Sequence, residues 1–415
     1  MRTRIYNARI LTMEEKRPVF KGEIYIDGGK IFRIKEAKTE KSERTEKPAL
    51  NEEEKWDEEI DAEGNLIMPG FKNAHTHSAM TFLRSYADDM KLQEWLFDKV
   101  FPAEAKLTSD DVYHLTKLAI LEYLTSGITA AFDMYKLKQD SAKAAEELGF
   151  RMVFCGDIND FGGTLEEMEQ DYFRYQCEET PLLSYQFGFH AEYTTSRNLM
   201  EGIAQLAGKY KKPVYVHCSE TKREVEECRE KTGMTPIAYM DSLGLFENGG
   251  GLFHGVHLDE ADFDIMKKKK ICVVTNPASN LKLASGIAPI GQMLQKGIVL
   301  GLGTDGASSN NNLDMLEEVR LASMLSKVKE DNPRSVPAKT AIKCGTLEGA
   351  KAIGFDEVGA VTTGYKADLV LYDLKEPEWF PRNDRYSLLC NAASSHSVSH
   401  VFVDGCLLYT SPSPR

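Results

Sequence analysis

An α/β chain, built as a (β/α)8 TIM-type barrel with a small flanking β-sandwich, is the fold class that three features of this sequence predict. From Leu66 to about Gly354, short β-rich runs alternate with longer helical ones. That alternation argues for a parallel sheet, and so many units over this length favour a closed barrel over an open sheet. The two ends of the chain instead alternate apolar and polar residues with period two, as half-buried strands do. Six of the nine histidines fall at or beside predicted strand ends in the central region, where such a barrel gathers its active site.

The elements follow in chain order. Ile5–Leu11 and Glu23–Ile31 read as strands, with Asp27-Gly28-Gly29 as a hairpin turn. Lys35–Glu59 is dense in charge with almost nothing to bury, and reads as a solvated loop or a long hairpin insertion. The apolar, turn-ended run Leu66–Gly70 opens the barrel. Its further strands are predicted at Thr129–Asp133, Arg151–Gly156, Ser184–Phe189, Val214–His217, Gly251–His254, Cys272–Thr275 and Val299–Thr304. Helices between them include Asp110–Thr125, Ser141–Leu148 and Leu313–Lys327. Residues 358–405 return to β patterning, in Asp368–Tyr372 and His400–Gly405. The predicted division is therefore 1–65 and 355–405 for the sandwich and 66–354 for the catalytic barrel. Residues 406–415 form an atypical tail left out of the fold.

Composition narrows the function. The chain has 415 residues, 42% hydrophobic and 28% charged, which is ordinary for a globular protein with a large core. Its net charge of −13, with no basic stripe, argues against nucleic-acid partners. Lys267–Lys270 reads as a solvated helix face. No run is long enough to span a bilayer, and the start has no apolar signal core. Eight scattered cysteines without C-x-x-C spacing predict a reducing cytoplasm. Cys218, beside His217, reads as a small buried filler and not as a ligand.

The chemistry begins at Asn73-Ala74-His75-Thr76-His77. Histidines at i and i+2 of a strand share a face about 6.5 Å apart, which suits two imidazoles meeting one metal ion. Strand Val214–Val216 delivers His217 at its end, with Glu220 three residues later, and the strand Val299–Thr304 ends at Asp305. Three imidazoles and a carboxylate make a site suited to Zn²⁺ or Fe²⁺ with a position open for water.

The segments PGFKNAHTHSAMTFLRSYADD, LQEWLFDKVFPAE, VHCSE, HGVHLDE, TNPASNLKLASGIAPI and LGTDGASSNNNLDM occur in this order over roughly residues 65–320. In them the chain resembles the amidohydrolase superfamily, in its branch of 5′-methylthioadenosine/S-adenosylhomocysteine deaminases and related chlorohydrolases. The resemblance implies one divalent metal held by His75, His77, His217 and Asp305, zinc first, with iron or manganese as alternatives. It implies that Glu220 shuttles protons, that His254 holds the attacking hydroxide, and that Asp305 takes a proton from it. It implies substrate contacts from Trp95, Glu104 (to ribose hydroxyls) and His190 (to a purine ring nitrogen), beside Glu220. It also implies a homo-oligomer.

His257 is expected to be structural. Asn276, Ser279 and Asn280 are expected to shape the loop near the metal, and His114, His396 and His400 carry no functional claim. The chain departs from the pattern at Phe154–Thr164, where relatives that bind homocysteine's carboxylate carry arginines and this chain has none. Arg174 and Arg197 are the possible substitutes. The reading is a hydrolytic deaminase of the 6-amino group of an adenosine-type nucleoside: 5′-methylthioadenosine, 5′-deoxyadenosine or adenosine ahead of S-adenosylhomocysteine. Its rivals are a deaminase or dechlorinase of a free base or s-triazine, and a catalytically inactive metal- or nucleoside-binding protein.

Overall fold

The alternating N-terminal residues pair as strands β1 (Arg2–Ile10), β2 (Phe20–Asp27) and β3 (Lys30–Glu36). The structure is a computed structural model that describes residues 1–37, 55–176 and 181–411. Most of the charged 35–59 stretch therefore lies outside the described residues. Asp27 pairs with Lys30 across a two-residue turn whose Gly28 and Gly29 both have positive φ, the geometry that matches the twist of a hairpin. β4 (Glu58–Asp61) and β5 (Leu66–Pro69) then pair parallel to β1.

Eight parallel strands follow: β6 (Phe71–Thr76), β7 (Ile128–Asp133), β8 (Arg151–Cys155), β9 (Leu183–Ala191), β10 (Val214–Cys218), β11 (Gly250–His254), β12 (Ile271–Thr275) and β13 (Leu300–Leu302). Each pairs with its neighbours in sequence order. The backbone N–H of Asp305, just past β13, donates to the carbonyl of His75 on β6 at 3.0 Å and brings the first and last strands together. Val153, Tyr215, Phe253 and Val274 fill the barrel centre, and a larger apolar cluster lies between strands and surrounding helices. Helix starts are capped where the sequence supplies the residues: Thr108 with Asp111, Thr221 with Glu224, and Asp259 with Asp262 all form reciprocal capping boxes.

The chain then returns to the first sheet with β14 (Leu369–Tyr372), β15 (Val398–Val403) and β16 (Cys406–Thr410). The flanking sheet runs β16-β15-β14-β5-β1-β2-β3, with β4 beside β1. Two expectations are corrected here. Leu66–Pro69 belongs to this sheet, hydrogen-bonded to β1 and β14, so the barrel begins at Phe71. The tail also contributes: Cys406–Thr410 pairs antiparallel with β15 as the edge strand, while residues 412–415 lie outside the described ones.

Sheet and barrel are bolted by buried charges. Asp368 accepts from Arg151 Nε and Nη2 at 2.8 and 2.9 Å, and Lys72 Nζ lies 3.6 Å away, all three fully buried. Asp404 takes a further bond from Arg151 at 3.0 Å.

Candidate active site

Every sequence-predicted ligand sits at the C-terminal end of a barrel strand. β6 carries His75 and, one residue past its end, His77; β10 carries His217; Asp305 follows β13. Their donor atoms all lie within 4.8 Å of one another. His75 stacks on Phe253 of β11, with ring centroids 3.8 Å apart.

The hydrogen-bond pattern fixes which nitrogens face the centre. His77 Nδ1–H donates to the Met134 carbonyl at 2.6 Å, and His217 Nδ1–H donates to the His190 carbonyl at 2.7 Å. Nε2 is left as the lone-pair nitrogen of each ring. His217 Nε2 and His75 Nε2 are 3.1 Å apart, and Asp305 Oδ1 lies 3.4 and 3.2 Å from His75 and His77 Nε2. Converging lone pairs around a carboxylate oxygen form a donor set that a divalent cation fits. The same closeness sets the electrostatics. Burial opposes the Asp305 charge, but a proton on His75 or His77 Nε2 hydrogen-bonds Oδ1 and holds its carboxyl well below the usual range, and against burial the same contact pushes His77 up to about 9. Burial, helped by the neighbouring imidazoles, pushes His217 well below the ordinary histidine value.

Glu220 and His254 stand beside this centre, with Glu220 Oε2 3.7 Å from His254 Nε2. His254 Nδ1–H donates to Asn280 Oδ1 at 2.8 Å, which leaves its Nε2 for the site. Burial pushes the Glu220 carboxyl up, His254 moderates the shift, and Asp305 adds to it. Ser279 and Ser309 hydroxyls both donate to Asp305 Oδ2 at 2.7 Å and orient that carboxylate. The expectation that the Asn276–Asn280 loop shapes the site thus becomes specific contacts. His257 turns away, its Nε2 bonded to the Ser285 carbonyl.

A cavity of about 1020 Å³ opens over these groups. Trp95, Glu104 and His190 all line it, together with His77, His217, Glu220, His254 and Asp305. Glu104 is nearly fully buried, and burial pushes its carboxyl up. The Tyr135 hydroxyl interacts with this carboxyl and moderates the shift, but neither Glu104 Oε1 nor that hydroxyl makes a close hydrogen bond among the described residues. His190 Nδ1 bonds Thr194 Oγ1 at 2.9 Å, and burial pushes this ring down to about 4, so it is neutral at pH 7.

Apart from Arg174, named above as a candidate, further lining residues escape sequence reasoning. Lys138 pairs with Asp157 at 2.5 Å, Arg174 lies 3.8 Å from Asp171, and Phe97, Phe101 and Phe161 bring aromatic surface to the rim. Of the two candidate arginines, Arg174 reaches the cavity. Arg197 is paired with Glu201 on an outer surface.

Comparison with known proteins agrees with this geometry. The amidohydrolase family model matches residues 66–408. A 5-methylthioadenosine/S-adenosylhomocysteine deaminase of Pelotomaculum thermopropionicum is 39% identical over 97% of this chain and 92% of that protein. The enzyme of the same name from Syntrophomonas wolfei is 41% identical over 85% and 83%. Among solved structures, a zinc-bound adenosine deaminase from Xanthomonas campestris superposes with a TM-score of 0.89 at 32% identity, covering 98% of this chain and 92% of that one. A zinc-complexed atrazine chlorohydrolase from Arthrobacter aurescens shares the fold, with a TM-score of 0.86 at 20% identity over 98% and 94%. The chain belongs to the amidohydrolase family, as a hydrolytic deaminase acting on carbon–nitrogen bonds.

Proposed function

We propose that the protein removes the 6-amino group of an adenosine-type nucleoside, with an uncharged 5′ group preferred. The observation that carries this reading is the buried Glu104 carboxyl on the wall of the cavity, whose Oε1 makes no close hydrogen bond and whose polar company there is the Tyr135 hydroxyl. Buried polar atoms without partners are rare and costly, and a ligand that supplies hydroxyl groups satisfies them. A ribose supplies such hydroxyls; a free base or triazine does not. Relatives named for methylthioadenosine and S-adenosylhomocysteine, at about 40% identity, support the same substrate class.

His75, His77, His217 and Asp305 would hold one divalent metal, zinc first, in keeping with the zinc-bound deaminase of similar fold. When bound, such an ion supplies Lewis-acid activation of water at neutral pH. The protein's own groups do the rest. Glu220, its carboxyl raised by burial, holds a proton and delivers it to the ring nitrogen N1 as water adds at C6. His254, anchored by Asn280, orients that water through Nε2. Asp305, steadied by Ser279 and Ser309, receives one proton of the water and passes it to the departing amine, and the remaining hydroxyl proton returns to Glu220 as the C6 carbonyl forms, so ammonia and the inosine-type product leave. Neutral His190 offers a hydrogen bond to a purine ring nitrogen, and Trp95 packs on the nucleoside.

The 5′ preference rests on charge. Lys138 is already paired with Asp157 and Arg174 lies near Asp171, so a carboxylate entering there competes with carboxylates in place. The aromatic rim favours apolar groups such as methylthio. Ammonia release by metal-loaded protein across a panel tests the reading. The panel holds 5′-methylthioadenosine, 5′-deoxyadenosine, adenosine, S-adenosylhomocysteine, guanine, cytosine and an amino-triazine. Turnover of the first three above the others is expected, and turnover of free bases or the triazine alone overturns it.

A further inference from the structure

The turn that presents Glu220 is built on a second buried carboxylate to which the reaction assigns no step. Glu224 lies in the first turn of the helix Lys222–Thr232, 2% exposed. Its Oε1 accepts from the Ser219 N–H at 2.6 Å, and its Oε2 accepts from the Glu220 N–H at 2.8 Å and the Thr221 N–H at 3.4 Å. A capping box requires only the bond to the cap residue, Thr221. Here that bond is the longest of three. The two short ones reach upstream, onto Ser219 and onto the backbone of Glu220 itself.

Those peptides need holding. Ser219 has φ +54°, a left-handed conformation that a non-glycine residue adopts only when its surroundings impose it. The carbonyl of Ser219 accepts from the N–H groups of Val256 and His257, each at 2.9 Å, and Cys218 O accepts from Gly255 at 3.2 Å. The turn after β10 is thus gripped on its donor side by Glu224, and on its acceptor side by the turn after β11. That second turn begins at His254, itself at φ +73°. The two side chains that face each other at 3.7 Å, Glu220 and His254, come from two turns tied together through Ser219.

We infer that Glu224 is a positioning residue for Glu220, using its carboxylate to clamp the Ser219–Glu220 backbone and aim the Glu220 carboxyl at the reacting ring. The inference rests on the reading of Glu220 as proton carrier. It assigns Glu224 a role beyond the helix cap, and the cap partner separates the two. Thr221 Oγ1 accepts from the Glu224 N–H at 3.2 Å, so Thr221→Ala weakens the cap and leaves all three Glu224 carboxylate bonds in place. Glu224→Gln keeps the shape and replaces one accepting oxygen with a donor that faces an N–H.

The test compares the two variants by hydrogen exchange over residues 214–225 and by steady-state kinetics on the best substrate of the panel. Glu224→Gln is expected to speed exchange at Ser219 and Glu220 by about tenfold or more. It is expected to lower kcat about 10–100-fold, with KM and metal content unchanged. Thr221→Ala should show parental exchange at those amides and parental kcat. If Glu224→Gln does not fold, Glu224→Asp, which keeps the carboxyl and shortens its reach, should show the same split. Matching behaviour of the Glu224 and Thr221 variants overturns the inference. Failure of the underlying reading shows elsewhere, as turnover retained in Glu220→Ala.

Discussion

Single side chains carry the chemistry, and each can be tested alone. Glu220→Ala removes the proposed proton carrier but none of the four converging donor groups, so metal content should stay near parental while ammonia release falls about 10²–10⁴-fold. Metal analysis beside a coupled ammonia assay checks both halves. Glu104→Gln alters the proposed ribose contact. We expect kcat/KM for 5′-methylthioadenosine to fall about 10–100-fold while any slow turnover of a free base is unchanged, and equal effects on both would sink the nucleoside reading. The centre itself was legible because its residues announce themselves locally: His75 and His77 two apart, and His217 followed by Glu220. Lys138, Asp157 and Arg174 were not legible as one group. They come from separate segments with no shared spacing, and only the closed barrel brings them to one cavity wall.

At the level of elements, the barrel strands were read from sequence to within about two residues at most ends, because fully buried parallel strands appear as short apolar runs bounded by turns. β13 is shorter than its apolar run suggests: only Leu300–Leu302 pairs as strand, and the following residues turn to present Asp305. The sequence places Leu66–Pro69 in the barrel because an apolar run does not say which sheet buries it; its partners β1 and β14 lie far away in sequence. β4 escaped because Glu58-Glu59-Ile60-Asp61 is mostly charged, as an outlying strand can be.

One glycine ties element geometry to the site. A Cβ on Gly303 would meet the backbone of His75 at 2.6 Å and the Asn276 side chain at 2.7 Å, so nothing larger fits between β13 and β6. Gly303→Ala should push Asp305 away from His75 and His77 and weaken metal affinity by about 10–100-fold, measured by competition with a chelator. Unchanged affinity would show that the two strands are not held in register there.

Across the whole molecule, the barrel and the flanking sheet depend on Asp368. Asp368→Asn leaves the buried Arg151 and Lys72 without their shared anion and should cost about 3–5 kcal/mol, read as a lower denaturant midpoint. The same group sets an acid limit. Burial works against its charge, but Arg151 and Lys72 hold Asp368 down to about 2, against an ordinary 3.8. Its folded value is depressed, so its contribution of about 2 kcal/mol is present in full above about pH 4 and disappears as pH falls through 2. Thermal melts between pH 5 and 2 should therefore fall more steeply for the parent than for Asp368→Asn. The flanking sheet also has a consequence for how the chain is made. β5 cannot meet β14 until about 300 further residues have left the ribosome, which at 5–20 residues per second is about 15–60 s. Throughout that interval the nascent N-terminal strands present an open edge along β5, with Ile67 and its apolar neighbours uncovered.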